Sequence, residues 1–397
     1  MPAGARKLKE DAPEASTVSS NRVILIQAPS WTYPEVGRLW IPHIQPRRGP
    51  MRFYTGRHRY YCGIDLHART MYLCILEHET GDVILHRNLR CDPDLFLEAI
   101  GPYRDDLVVA TECIYCWYWL ADLCAREDLP FVLGHALYMK AIHGGKAKND
   151  KIDSHKIAVL LRAGALPQAY VYPPGMRATR DLLRRRLFFV RKRGELFAHV
   201  RTTFHQYNLP TPSGQLLYQC NRARVPEAFE DPIVRISVEA DLVLASHYDG
   251  IIRTLERTIG KQAKIEDPST LELLQTIPGV GPILGLTLLY EIHDITRFKR
   301  VQDFSSYARL VKSQKTSAGK VLGTSGSKIG NAHLKWAFSE AAVLFLKGNP
   351  RGQKHLDRLR QKHGKGKALS ILAARIGRAS YYMLRRNTDF DMDRFMN

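Results

Sequence analysis

Residues 60–77 read YYCGIDLHARTMYLCILE, and the fold turns on them. Tyr60–Asp65 is an apolar, β-prone run, and Met71–Glu77 repeats the pattern after a polar break at His67–Thr70. Two such runs joined by a short turn predict neighbouring strands. Thr80, Gly81 and Asp82 form a hairpin signal, so Val83–Asn88 predicts a third strand. Farther along, Pro93–Ile100 predicts a helix, and Leu107–Thr111 (LVVAT) a strand buried on both faces. Tyr115–Glu127 predicts a helix, Phe131–Gly134 a short strand and Ile152–Ala163 another helix. Hairpin strands followed by alternating helices and strands give an α/β layered domain with a mixed sheet.

That order matches the ribonuclease H-like fold, in which the first and fourth strands lie side by side. Asp65 ends the first strand, within YYCGIDLH, and Glu112 ends the fourth, within VVATEC. The two acids would then meet at one edge of the sheet. Asp150 and Asp153 open the last helix of the domain, within KNDKIDSHKIA, and a spacing of three puts them on one helix face. Four crowded carboxylates repel unless cations neutralise them. Hard oxygen ligands select Mg²⁺ or Mn²⁺, and a pair of such ions can activate an attacking oxygen and stabilise a leaving one at phosphorus. Each acid alone is also an ordinary solvated cap, and Asp153 alone also suits the helix dipole. The ordered set carries the metal reading.

The 397 residues hold 59 Lys and Arg against 39 Asp and Glu, a net charge of +20. Such a field favours a polyanion, nucleic acid before a membrane surface. No apolar run is long enough to span a bilayer, and no apolar stretch follows Arg6, Lys7 and Lys9 as in a secretory signal. Seven scattered cysteines fit a reducing, cytoplasmic setting. Cys113 and Cys116 form one CxxC, but no second ligand pair completes a zinc site.

Five segments are expected. Residues 1–58 form a basic arm without periodic pattern, and 59–168 the acid-bearing domain. A basic helical, coiled-coil-like linker covers 169–265, with Arg184, Arg185, Arg186, Arg191, Lys192 and Arg193 concentrated in one helix. That helix suits a nucleic-acid backbone or is a solvated basic face. Ile251, Ile252, Leu255 and Ile259 have amphipathic spacing, and Lys261–Pro268 reads as a charged linker. A mainly helical domain follows over 266–346, then a basic tail over 347–397 with a hint of one more helix. Within LLQTIPGVGP, Gly279 and Gly281 shape a helix-hairpin-helix whose backbone can approach a phosphate, or a tight turn used for packing. Ser313–Asn331 is a loop dense in Ser, Thr, Gly and Lys, with Lys315, Lys320 and Lys328 suited to phosphate. A serine hydroxyl there could attack a phosphodiester and conserve its energy in a covalent link.

GIDLH, ATE, KNDKID, the IPGVGP hairpin with LTLLYEI, and TSAGK with SGSKIGNAHLK together resemble the DEDD insertion-sequence transposases, a group that includes the Piv-type DNA invertases. The resemblance runs from about Tyr60 to Ala342. It implies a RuvC-like domain whose Asp65, Glu112, Asp150 and Asp153 bind Mg²⁺, and a second domain with a serine nucleophile. Ser317, in QKTSAGK, is the best match for that serine. The family more often has two serines before two glycines, whereas Thr316 and Ala318 stand here, so Thr316, Ser325 and Ser327 remain alternatives. The resemblance further implies DNA as substrate, a structured guide RNA from the element, and a homo-oligomer, a tetramer with composite sites. Two other readings stay open: a metal-dependent junction-resolving nuclease that uses water instead of serine, and a nucleic-acid-binding protein without chemistry.

Overall fold

The computed structural model describes residues 52–142, 149–212, 214–311, 313–317, 320–325 and 329–396. They fall within a compact unit, Pro46–Asn397. The arm 1–51 lies outside the described residues.

The first part alternates strands and helices: β1 (Tyr60–Leu66), β2 (Thr70–Glu77), β3 (Val83–Arg90), α1 (Pro93–Ile100), β4 (Leu107–Glu112), α2 (Tyr118–Arg126), β5 (Phe131–Gly134), α3 (Ala136–Ile142) and α4 (Asp150–Arg162). One mixed sheet results, ordered β3-β2-β1-β4-β5. β1 pairs antiparallel with β2 and parallel with β4, and β5 continues parallel from β4. Strand alternation sorts the core. Cys62, Ile64 and Leu66 point into the layer packed by Phe96, Leu120 and Leu123 of α1 and α2. Tyr61, Val108 and Ala110 point to the other face, which Ile157 and Leu161 of α4 cover. Gly63 lets α4 settle closely: a Cβ there would sit 2.3 Å from the Ala158 nitrogen and 2.4 Å from the Ser154 oxygen.

Three details differ from expectation. α2 starts at Tyr118, not Tyr115, because the Cys113 N–H still bonds the Gly134 carbonyl before the chain turns. α3 was not expected; seven residues show too little period. The arm does not run to residue 58, because Arg52–Tyr54 lie along Leu166–Gln168, with the Tyr54 N–H on the Leu166 oxygen and the Gln168 N–H on the Arg52 oxygen.

Two long helices follow, α5 (Pro174–Gln206) and α6 (Pro232–Glu266), packed through Phe197, Val200, Phe204, Val238 and Leu242. The expected linker at Lys261–Pro268 is absent. α6 runs to Glu266, Asp267 caps the Thr270 N–H, and Pro268 opens the next helix. The remainder is helical apart from one hairpin: α7 (Pro268–Gln275), α8 (Pro282–Ile292), α9 (Val301–Tyr307), β6 (Ser313–Ser317), β7 (Lys320–Ser325), α10 (Ala332–Leu344), α11 (Pro350–His363), α12 (Lys365–Arg386) and α13 (Met392–Met396). Residues 350–396 are therefore no tail. Leu356, Leu372, Ile376, Tyr381 and Phe395 join Leu274, Leu288, Phe304 and Phe338 in one core. No helix among the described residues is long and apolar enough to cross a membrane.

Candidate functional site

Ile64 and Thr111 are the last paired residues of β1 and β4. Asp65 and Glu112 come next, one on each adjacent strand. By alternation both share the face of Tyr61, Val108 and Ala110, the face that α4 covers. Asn149 caps α4 by accepting the Ile152 N–H, so the helix opens with Asp150 at the sheet's end.

His67 completes the cluster. Its Nε2 lies 3.5 Å from Asp65 Oδ2 and 3.4 Å from Asp150 Oδ1. One donor atom from each of Asp65, His67 and Asp150 lies within 4.8 Å of the other two. Asp65 is recessed, whereas His67 and Asp150 are about half exposed. Two carboxylates and an imidazole at this spacing fit a divalent cation with one recessed anchor and an open side. Glu112 and Asp153 stand outside that set. Glu112 is half-buried at the end of β4, and Asp153 pairs with Lys156 at 3.1 Å. Sequence reading missed His67, although standing two residues after Asp65 gives it the same face. Cys113 and Cys116 are free thiols and join no metal-binding group among the described residues.

β6 and β7 form a hairpin in which Ser313 faces Ser325 and Ser317 faces Lys320. The side chains of Lys315, Thr316, Ser317 and Ser325, and all of Ser327 and Lys328, lie outside the described residues; Lys320 is exposed. The hairpin's base is clamped. The Asn331 N–H donates to the Tyr307 oxygen at 2.6 Å, and Arg309 Nε donates to the Ile329 oxygen at 3.1 Å. Asn331 also caps α10, and its amide donates to Glu291 Oε2 at 2.7 Å.

Glu291 is the hub of this base. It is 1% exposed and accepts from Arg180 Nε at 3.0 Å and from Arg184 Nε and Nη2 at 2.6 and 3.0 Å. Burial raises its pKa, but the Arg184 hydrogen bonds and the charges of Arg180 and Arg184 outweigh burial and hold it at about 2. A glutamate inside ILGLTLLYEI demanded such partners, which is a legible signal. His333 sits nearby, lowered to about 4 by burial and the Arg184 charge.

These bonds redirect the basic helix. Arg184 is spent on Glu291, Arg186 pairs with Glu256 at 2.6 Å, and Lys192 pairs with Glu195 at 2.7 Å. Arg193 pairs with Asp249, and Arg185 lies over the rings of Phe188 and Phe189. Of the six cations expected on this helix, Arg184, Arg186 and Arg193 are thus met by carboxylates from distant parts of the chain and Lys192 by one of its own helix. In the helix-hairpin-helix, Gly279 has φ +86° and presses on α10: a Cβ would meet the Leu344 carbonyl carbon and the Phe345 nitrogen at 2.5 Å. Gly281 is open. The turn has a packing role at Gly279 whatever else it contacts.

Two family models match this chain. A model of DEDD transposases of the IS110 type covers residues 62–209, the stretch with all four acids. A model described as the transposase IS116/IS110/IS902 family covers 271–357, the stretch with the Gly279 turn and the serine hairpin. The chain belongs to the IS110 family of DEDD transposases. The transposase is 23% identical over 291 residues to the transposase for insertion sequence element IS1111A of Coxiella burnetii, spanning 72% of this chain and 77% of the relative. It is 25% identical to the transposase for IS1328 of Yersinia enterocolitica, spanning 72% and 83%. It is also 30% identical over 141 residues to an IS110 protein of Streptomyces coelicolor, a match covering 35% and 34%. As a transposase it acts on DNA, which accounts for the net charge of +20.

Proposed function

We propose that the transposase breaks and rejoins DNA at a site with two halves. One half is the Asp65, Glu112, Asp150 and Asp153 set in a ribonuclease H-like domain, with His67 as an added ligand. The other is Ser317 on the β6–β7 hairpin. The convergence of Asp65, His67 and Asp150 within 4.8 Å carries this reading. The sheet order β3-β2-β1-β4-β5, with acids ending adjacent β1 and β4, supports the ribonuclease H-like assignment.

A bound Mg²⁺ or Mn²⁺ supplies charge neutralisation at the scissile phosphate. The protein's own groups do the rest. Asp65 fixes the site at the rigid end of β1, and α4 brings Asp150 from the facing layer. His67 would offer a ring nitrogen beside them. Ser317 Oγ attacks phosphorus, a deoxyribose hydroxyl leaves, and the bond energy stays in a serine–phosphate link for rejoining. The clamp at Asn331 and Glu291 fixes the base of the hairpin that carries the serine.

Two partners belong to the same reading. A structured guide RNA follows from the family resemblance. A homo-oligomer, a tetramer by that resemblance, is supported by α6, whose Ile233, Ile236 and Val243 are 71%, 63% and 64% exposed along one helix.

The test joins two measurements. Calorimetry with Mn²⁺ should show binding to the wild type and at least tenfold weaker binding to Asp65→Asn. On cognate DNA, a denaturant-stable protein–DNA adduct should form with the wild type and vanish in Ser317→Ala. Cleavage by Ser317→Ala without any adduct would replace the serine by water.

A further inference from the structure

A second cationic surface lies near the C-terminal end of the helical domain, beyond both family-model matches, the later of which ends at residue 357. Here α12 and α13 wall a cavity of about 720 Å³. Arg378, Tyr382 and Arg386 stand at i, i+4 and i+8 on α12, hence on one helix face. Arg394 of α13 lines the same cavity. The carboxylates there are Asp389 and Asp391, and Asp391 is engaged in capping the Asp393 and Arg394 N–H groups. Arg375 at the inner wall bonds His355 and the Phe395 carbonyl. Among the described residues no ion pair is formed by Arg378, Arg386 or Arg394.

The aromatic component singles out the ligand. Tyr382 is 38% exposed, and the Arg386 guanidinium lies 5.1 Å from its ring centroid. Tyr381 meets the ring edge-on and Arg386 lies over it, so the exposed part of the ring and this guanidinium offer a stacking site for an unpaired base, with Arg378 and Arg394 as cations for the flanking phosphates. Duplex bases are stacked on each other and do not present that face. A cavity of this size also exceeds what a lone phosphate needs.

We propose that the α12–α13 groove binds single-stranded nucleic acid, with one base stacked on Tyr382 and phosphates held by Arg378, Arg386 and Arg394. The strand is either a loop of RNA or a displaced DNA strand, which share this chemistry. The binding is independent of the acidic cluster.

The experiment uses the full-length protein in EDTA, so that strands stay intact and a failure of the metal reading leaves the outcome unaffected. Labelled single strands of about twelve nucleotides, RNA and DNA of one sequence, are titrated by fluorescence anisotropy beside the matching duplex. Tyr382→Ala should weaken single-strand binding roughly tenfold, and Tyr382→Phe should keep it because the ring remains. Arg378→Gln with Arg386→Gln should lower the slope of log K against log salt by about 1.4. The duplex should respond to neither change at Tyr382. The tighter of the two single strands identifies RNA or DNA as the source. A 5-iodouridine strand should photocrosslink to Tyr382, which locates the site even though so basic a chain holds nucleic acid elsewhere. Unchanged affinity in both arginine and tyrosine variants, or crosslinks that avoid α12, overturn the proposal.

Discussion

The two basic helices α5 and α12 look alike on paper and behave oppositely in the fold. α5 is the more conspicuous, with Arg184–Arg186 and Arg191–Arg193 as two triplets of cations. Yet Arg177, Arg180, Arg184, Arg186, Lys192 and Arg193 each meet a carboxylate. Most of those acids, including Glu256, Asp249 and Glu291, arrive from distant parts of the chain. α12 carries no acid of its own over Lys365–Arg386, and Arg378 and Arg386 face outward beside Tyr382. Cations counted along a sequence are thus not a basic surface. What matters is the remainder after tertiary carboxylates are subtracted, and on α12 that remainder includes Arg378 and Arg386.

If α5 spends its charge internally, removing the internal partner must hurt stability most. Glu291→Gln should cost about 3–5 kcal/mol in urea unfolding, because Arg180 and Arg184 would stay buried without their anion. A cost under about 1 kcal/mol would mean that α5 is not anchored there, and the contrast would fail. The same residue sets an acid signature. Its folded pKa of about 2 lies below an unfolded value of about 4.3, so the stabilisation is fully present above about pH 4.3. It fades as pH falls from there through 2. Thermal melts across that window should drop more steeply for the wild type than for Glu291→Gln.

A smaller effect belongs to Asp249, which takes both Arg193 and the buried Arg222. Asp249→Asn should cost about 2 kcal/mol, since Arg222 keeps its bonds to the Leu216 and Leu217 carbonyls and to Ser246. A loss as large as that of Glu291→Gln would show that the α5–α6 pair depends on its cations along its whole length.

The same contrast explains what was legible. The sheet could be read because strand identity is local: apolar alternation and turn residues sit within a few positions of each other. The positions of Asp65, Glu112 and Asp150 could be read because strand ends and a helix cap fix where they stand. His67, which lies with Asp65 and Asp150, follows from the same alternation two residues further. The fates of Arg184 and Arg186 were not legible, because Glu291 and Glu256 meet them only in three dimensions. α12 was only hinted at, and α11 and α13 were not foreseen, for a related reason. Their buried stripe uses small and mixed residues such as Ala368, Ala373, Gly377 and Ser380, and lysines and arginines outnumber its leucines. Even so, the lack of any acid in α12 was visible in the sequence.

The smallest stability effect is the sharpest discriminator. Arg378→Gln with Arg386→Gln should leave unfolding within about 0.5 kcal/mol of wild type, because neither guanidinium has a carboxylate to lose. The same double change should lower the salt dependence of single-strand binding by about 1.4 in slope. On α5 the relation should invert: Arg186→Gln strands Glu256 half-buried, costs about 1 kcal/mol, and leaves that slope untouched. Measuring both variants for both quantities separates a cation that holds the fold from one that faces a ligand. If Arg186→Gln also lowers the slope, its guanidinium exchanges Glu256 for phosphate on binding, and α5 would count as a nucleic-acid surface after all.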